Sequence, residues 1–179
     1  MHEHDFPSFT LTRPVTVSAS DAELDTAVAT VGVSLPPSYR EFARRFGYGR
    51  IFNRLILYIP MGDHCDSLTV RSPGLARFFR EGIEKEYFEY EPDGSPELVR
   101  RLIPFGISED GHYFAWDPAE PTGGGELAVY AIGSKMLSVT RAAPNLYELL
   151  HGVTDARVKH ILGPGYQPQQ PVFTPLDKG

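Results

Sequence analysis

The chain of 179 residues has a single cysteine, Cys65. That excludes an internal disulfide framework and a four-cysteine zinc site. Lysine is scarce, four residues against thirteen arginines, and acids outnumber bases to give a net charge of -6. An acidic balance argues against a general nucleic-acid binder, which needs a basic footprint to release counterions. It leaves room for a partner that is itself basic. No run approaches the roughly 20 apolar residues of a membrane span; the longest, Leu55 to Pro60, is strand-sized. The N-terminus, Met1-His2-Glu3-His4-Asp5, lacks the positive region and apolar core of a secretory signal. No internal repeat is visible. Together these absences point to the cytosol.

What is present is ordinary for a globular protein: 41% hydrophobic and 22% charged residues, too hydrophobic for a disordered chain. At roughly 150 residues per domain, the length predicts one domain plus a tail. A chain of this size buries about 70% of the surface its unfolded form exposes.

Local signals divide the chain into an arm over residues 1–19, a domain over 20–162 and a tail over 163–179. In the arm, Phe6, Phe9 and Leu11 are candidates to pack on the core. A helix is predicted over Asp21 to Val31: Ser20 and Glu23 form a capping box, Leu24, Val28 and Val31 share a face, and Gly32 supplies the stop. A second begins at Pro36-Pro37, with Tyr39, Phe42, Ala43 and Phe46 on one face, and ends at Gly47 and Gly49. Leu55 to Ile59 reads as a strand. Ser72-Pro73 opens a third helix with Leu75, Phe78 and Phe79 inward, running into an acidic stretch. Strands follow at 102–105 and 112–116 around a Glu109-Asp110-Gly111 turn. A flexible loop is expected from Asp117 to Gly125. Two more strands, 127–132 and 136–140, flank Gly133-Ser134. Short helices are expected at 144–151 and 154–162. The tail, with Pro164, Pro168, Pro171 and Pro175, reads as extended chain. Helices, then hairpin strands, then a closing helix define an α+β fold: a single mainly antiparallel sheet packed with N-terminal and C-terminal helices.

Three places in this order resemble the SUKH superfamily, known from cell-wall regulator-like proteins of fungi and immunity proteins of bacterial polymorphic-toxin systems. Leu35-Pro36-Pro37-Ser38-Tyr39-Arg40-Glu41-Phe42 is similar to the family's Leu-Pro-x-x-Tyr-x-x-Phe helix start, with Phe46-Gly47-Tyr48-Gly49 at the place of its stop. Leu102-Ile103-Pro104-Phe105-Gly106, Glu109-Asp110-Gly111 and Tyr113-Phe114-Ala115-Trp116-Asp117 resemble its strand, turn and return strand. Pro144 to Leu150 resembles its closing helix. The stop lacks the family's Asn, and Gly111-His112 stands where the family often has Gly-Asp. The resemblance spans residues 20 to 151. It implies a binding protein that neutralises a toxin domain by direct contact, with no cofactor and no catalytic motif; the toxin is expected to be a nuclease or other nucleic-acid-modifying enzyme with a basic surface. A regulatory or scaffold protein is the alternative, disfavoured by the shortness of the tail.

Among reactive side chains, Asp63-His64-Cys65-Asp66 is the densest cluster. A small metal-dependent hydrolase using Asp63, His64 and Asp66 is a further alternative. Neighbours on an extended chain point to opposite faces, however, and no second ligand cluster appears, so a polar loop explains them better. His2, His4 and Asp5 read as a frayed terminus; His112, His151 and His160 are isolated. Gly123-Gly124-Gly125 is no phosphate cradle, since no Lys-Ser/Thr follows and Glu126 repels anions. Glu109, Asp110 and Asp117 read as turn and loop acids. The run from Glu81 to Asp93 differs: six acids in thirteen residues, interleaved with Tyr87, Phe88 and Tyr90, read either as a solvated helix face with inward-facing aromatics or as an interface. Tyrosines give rigid contact area at interfaces, and carboxylates steer a basic partner. Glu84, Glu86, Tyr87, Glu89, Tyr90, Glu91 and Asp93 are therefore the candidate partner-binding residues, with no catalytic or metal-binding set, no membrane contact and no direct nucleic-acid contact expected.

Overall fold

The computed structural model describes residues 4–179. His2, one of the terminal histidines considered above, lies outside them. The first helix, α1 (Asp21–Val31), forms as its local signals dictate. The Ser20 hydroxyl accepts from the Glu23 N–H, the Glu23 carboxylate accepts from the Ser20 N–H, and Gly32 closes the helix in the left-handed region. Next, α2 (Pro37–Arg45) buries Tyr39, Phe42 and Ala43.

A third helix, α3 (Leu68–Glu84), begins one turn earlier than Ser72-Pro73 suggests. Its start is held by tertiary contacts: Leu68 is fully buried and its N–H donates to the Ile59 carbonyl. Pro73 thus sits inside the helix, and Phe78 points outward while Phe79 is buried. The short α4 (Pro96–Arg101), capped by Ser95, was not expected. The closing helices are α5 (Leu146–Thr154), capped by Asn145, and α6 (Val158–Ile161).

Eight strands form one sheet: β1 (Thr10–Leu11), β2 (Gly49–Ile51), β3 (Leu55–Leu57), β4 (Ile103–Ser108), β5 (Tyr113–Gly123), β6 (Glu126–Ile132), β7 (Val139–Ala143) and β8 (Val172–Pro175). Their order is β1-β8-β2-β3-β4-β5-β6-β7. Only β1 and β8 pair in parallel; every other neighbour is antiparallel. The fold is α+β, with helices packed on a mainly antiparallel sheet.

The stretch expected as a flexible loop after Trp116 is instead the second half of β5. Its prolines are tolerated because β4 begins at Ile103, opposite Trp116, and so does not pair with β5 beyond that point. Acidic side chains then pin it: Arg101 grips Asp117, and Glu120 accepts from the Tyr130 hydroxyl and Arg141. The proline-rich tail supplies β8, whose Phe173 is fully buried between the arm and β2.

Strand periodicity splits the core into two layers. On one face Phe114, Trp116, Val129 and Ala131 meet α1, α2, α5 and the terminal aromatics. On the other, Ala115, Ala128, Tyr130 and Ile132 meet Phe79, Leu98 and Val99. In the first layer Trp116 stacks on Phe105 at 4.2 Å and takes Tyr39 edge-on at 4.9 Å, while the Tyr39 hydroxyl donates to the Tyr58 carbonyl at 2.6 Å. The tyrosine of the Leu-Pro-x-x-Tyr segment is thus a core pillar.

Glycine is required at the end of α2. A Cβ on Gly47, where φ is +72°, would overlap the Val17 carbonyl, and one on Gly49 would overlap Phe173. The arm and the tail strand both pass this point.

Candidate functional site

The acidic-aromatic run begins as the last turn of α3. At Glu86 the backbone takes φ +58°, a left-handed conformation that turns the chain back. Residues 89–94 then lie along the outer edge of β7. The Glu89 N–H donates to the Met136 carbonyl, the Val139 N–H to the Glu91 carbonyl and the Asp93 N–H to the Val139 carbonyl, all within 3.0 Å. The Asp93 carboxylate accepts from the Arg141 N–H at 2.8 Å. The run therefore covers an edge strand that would otherwise be open to pairing.

The three aromatics divide by depth. Phe88 is buried against Phe79 and stacks on Tyr90. Tyr90 is half-buried; burial raises its hydroxyl above the usual range, Arg100 opposing and Glu97 adding. Tyr87 is 60% exposed. Glu84, Glu86, Glu89 and Glu91 are exposed, and none forms an ion pair among the described residues. Most other acids are engaged by arginine, so the unpaired negative charge of the chain concentrates here.

Beside Tyr87 lies a depression of about 370 Å³ lined by Phe78, Tyr87, Tyr113, Lys135 and Met136. Phe78 is 44% exposed and meets the Tyr113 ring at 6.0 Å. Leu137, also exposed, follows Met136. Gly82 makes the floor possible, because a Cβ there would strike the Met136 sulfur. Phe78, Tyr113, Lys135 and Met136 did not stand out in the sequence. Phe78 is indistinguishable from a core residue by periodicity, and Met136 arrives from a hairpin about fifty residues away. The one available signal was the adjacency of Phe78 and Phe79, which a helix directs about 100° apart.

The other reactive residues do not converge. His64 Nδ1 accepts from the Asp66 N–H, so Nε2 carries the proton and donates to the Lys178 carbonyl at 2.9 Å. Asp66 accepts from the Tyr48 hydroxyl and Arg71. Asp63 and Cys65 are exposed. Among the described residues no three His, Cys, Asp or Glu side chains form a group suited to a metal ion. Glu109, Asp110 and Asp117 pair with three different arginines, Arg50, Arg54 and Arg101. His112, His151 and His160 each face a backbone carbonyl, of Leu162, Asp5 and Arg141 respectively. No helix of the described residues is long and apolar enough to cross a membrane.

Two N-terminal helices, a hairpin-built sheet and a closing helix on its face follow the order of elements on which the resemblance to the SUKH superfamily rests. The SMI1 / KNR4 family (SUKH-1) matches residues 18–152, three quarters of the chain, and the chain belongs to that family. No curated protein sequence matches it.

Proposed function

We propose that this protein is an immunity-type binding protein of the cytosol that neutralises a toxin domain by covering a basic surface. Family membership is consistent with such a role. The observation that carries the reading is the face formed by α3, the 84–93 run and the Ser134–Met136 turn. Exposed aromatic and apolar side chains form its centre, and four unpaired glutamates stand beside them. Interfaces draw most of their energy from a few desolvated aromatic anchors, and opposite charge accelerates encounter. Toxins that act on nucleic acid carry basic clefts to bind phosphate, which this face complements.

The test is co-purification with the product of the neighbouring gene, followed by measured affinities of variants. Tyr87→Ala and Phe78→Ala are expected to weaken binding by about 30-fold or more, the scale of anchor residues. Joint Glu86→Gln, Glu89→Gln and Glu91→Gln substitution should slow association and flatten its dependence on salt. Unchanged affinity and salt dependence in both sets would remove this face from the reading.

A further inference from the structure

Thirteen arginines occur in the chain, and ten of them form ion pairs with Asp or Glu. The three that form none among the described residues, Arg77, Arg80 and Arg100, all line one recess of about 340 Å³ between α1, α3, α4 and the start of β4. Arg101 lines it too, held from below by two 2.8 Å bonds to Asp117. Of these four guanidiniums only Arg101 is matched by a carboxylate, and the other three have no ion pair among the described residues, in a chain whose net charge is -6. Arg77 and Arg80 stand three apart on α3, where like charges repel; Arg100 adds a third from another helix. Glu81 and Glu84 lie one turn further along α3 and Glu97 one turn before Arg100, yet none of them pairs with these arginines among the described residues.

The recess is distinct from the acidic-aromatic face. At 100° per residue, Pro73, Ala76, Arg77 and Arg80 occupy one flank of α3, Phe78 and Gly82 the other, and Phe79 faces the core between them. Ser72 is buried in the recess wall, and its hydroxyl has no hydrogen-bond partner among the described residues. Pro73 and Pro104 add rigid apolar walls.

We infer that this recess binds a small phosphate-bearing molecule, its phosphoryl oxygens taken by the guanidinium forks of Arg77, Arg80 and Arg100. Guanidinium is planar and bidentate toward phosphate oxygens. One phosphoryl group carries about -1.5 to -2 at neutral pH, so a phosphate ester or pyrophosphate matches the surplus, whereas a single carboxylate does not. The volume, between three helices and the start of a strand, is that of a small-ligand pocket. The Ser72 hydroxyl supplies a further donor. This inference stands independently of the toxin-binding face.

The experiment is calorimetric titration of the full chain with inorganic pyrophosphate, with ATP, and with a glutamate-rich peptide. Pyrophosphate is expected to bind, and Arg77→Gln, Arg80→Gln and Arg100→Gln should each weaken it about tenfold or more. Arg80→Lys, which keeps the charge and loses the fork, should fall between Arg80→Gln and the parent. Circular dichroism of each variant confirms the native fold. ATP binding more tightly than pyrophosphate would show that the apolar walls hold the organic moiety; equal affinity would assign the site to the phosphoryl groups alone. Absence of pyrophosphate binding, affinity unchanged in the triple Gln variant, or equal binding of the glutamate-rich peptide would overturn the inference. Glu86→Gln and Glu89→Gln, on the opposite flank, should leave pyrophosphate affinity intact, which separates failure here from failure of the toxin-binding reading.

Discussion

The Tyr58 hydroxyl is the one side-chain polar atom fully cut off from solvent that has no hydrogen-bond partner among the described residues. Burial pushes its hydroxyl up to about 12, with Asp66 adding and the Arg71 guanidinium, 5.4 Å from the ring centre, opposing. An unsatisfied buried hydroxyl costs about 1–3 kcal/mol. Tyr58→Phe keeps the ring and deletes that cost, so it should stabilise the protein by about 1 kcal/mol, read as a higher urea midpoint at unchanged slope. Asp117 is the opposite case, a nearly inaccessible carboxylate fully satisfied. Burial alone would raise it, but the Arg101 fork and the Ala119 N–H outweigh burial and hold it below the usual range. A carboxyl depressed in the folded state contributes stability that is complete above its unfolded value, about 3.9, and lost as pH falls through the folded value. Asp155 is lowered likewise by Arg157. Asp117→Asn should therefore cost about 2 kcal/mol at neutral pH. It should also flatten the loss of stability below about pH 4, measured by denaturant titration across the acid range.

At the level of elements, the tip of the β5–β6 hairpin has a structural task. Pro36 cannot cap α2 with a side chain, and Glu126 does so from across the fold. Its carboxylate accepts from the Ser38 N–H and the Ser38 hydroxyl, both at 2.7 Å, and Ser38 in turn accepts from the Leu146 N–H at the start of α5. A negative group at a helix N-terminus is favourable. Glu126→Ala should cost about 2 kcal/mol by stranding buried donors, and Glu126→Gln less, since its amide oxygen still accepts; chemical denaturation checks the order. This contact also marks where sequence reading reaches its limit. Helix α1 was legible to its caps because each partner lies within a few residues. Residues 113–116 were legible as a strand because both faces of β5 are covered there and the run is apolar throughout. The second half of β5, α4 and β8 were not. Their stabilising partners are Arg101, Glu120 with Arg141, and Phe173 against the arm, all brought together only by the folded chain. For the candidate face, the acids and Tyr87 were visible as a run, whereas Phe78, Tyr113 and Met136 reach it from three separate segments.

For the molecule as a whole, the arm and the tail each contribute a strand to the sheet. The arm's β1 pairs with β8, and β8 inserts between β1 and β2. Phe173 meets Phe9, Phe42 and Phe46. The Tyr48 carbonyl accepts from the Leu176 N–H, and Asp177 accepts from Thr16 and Arg13 of the arm. Removing residues 164–179 would thus take away more than a polar extension. It deletes the only sheet partner of β1 among the described residues, opens the edge of β2 and exposes the aromatic cluster under Phe46. A Phe to Ala change in such a core costs about 3–5 kcal/mol, a large share of the roughly 5–15 kcal/mol that stabilises a domain. Phe173→Ala should therefore lower the unfolding midpoint sharply, and the 164–179 deletion should leave the chain unfolded or aggregated. Amide exchange in Phe173→Ala should quicken first at 10–12 and 49–51, while β5 and β6 stay protected. An unfolding midpoint unchanged by the deletion would mean that the tail packs without contributing, and that the domain is complete before residue 164.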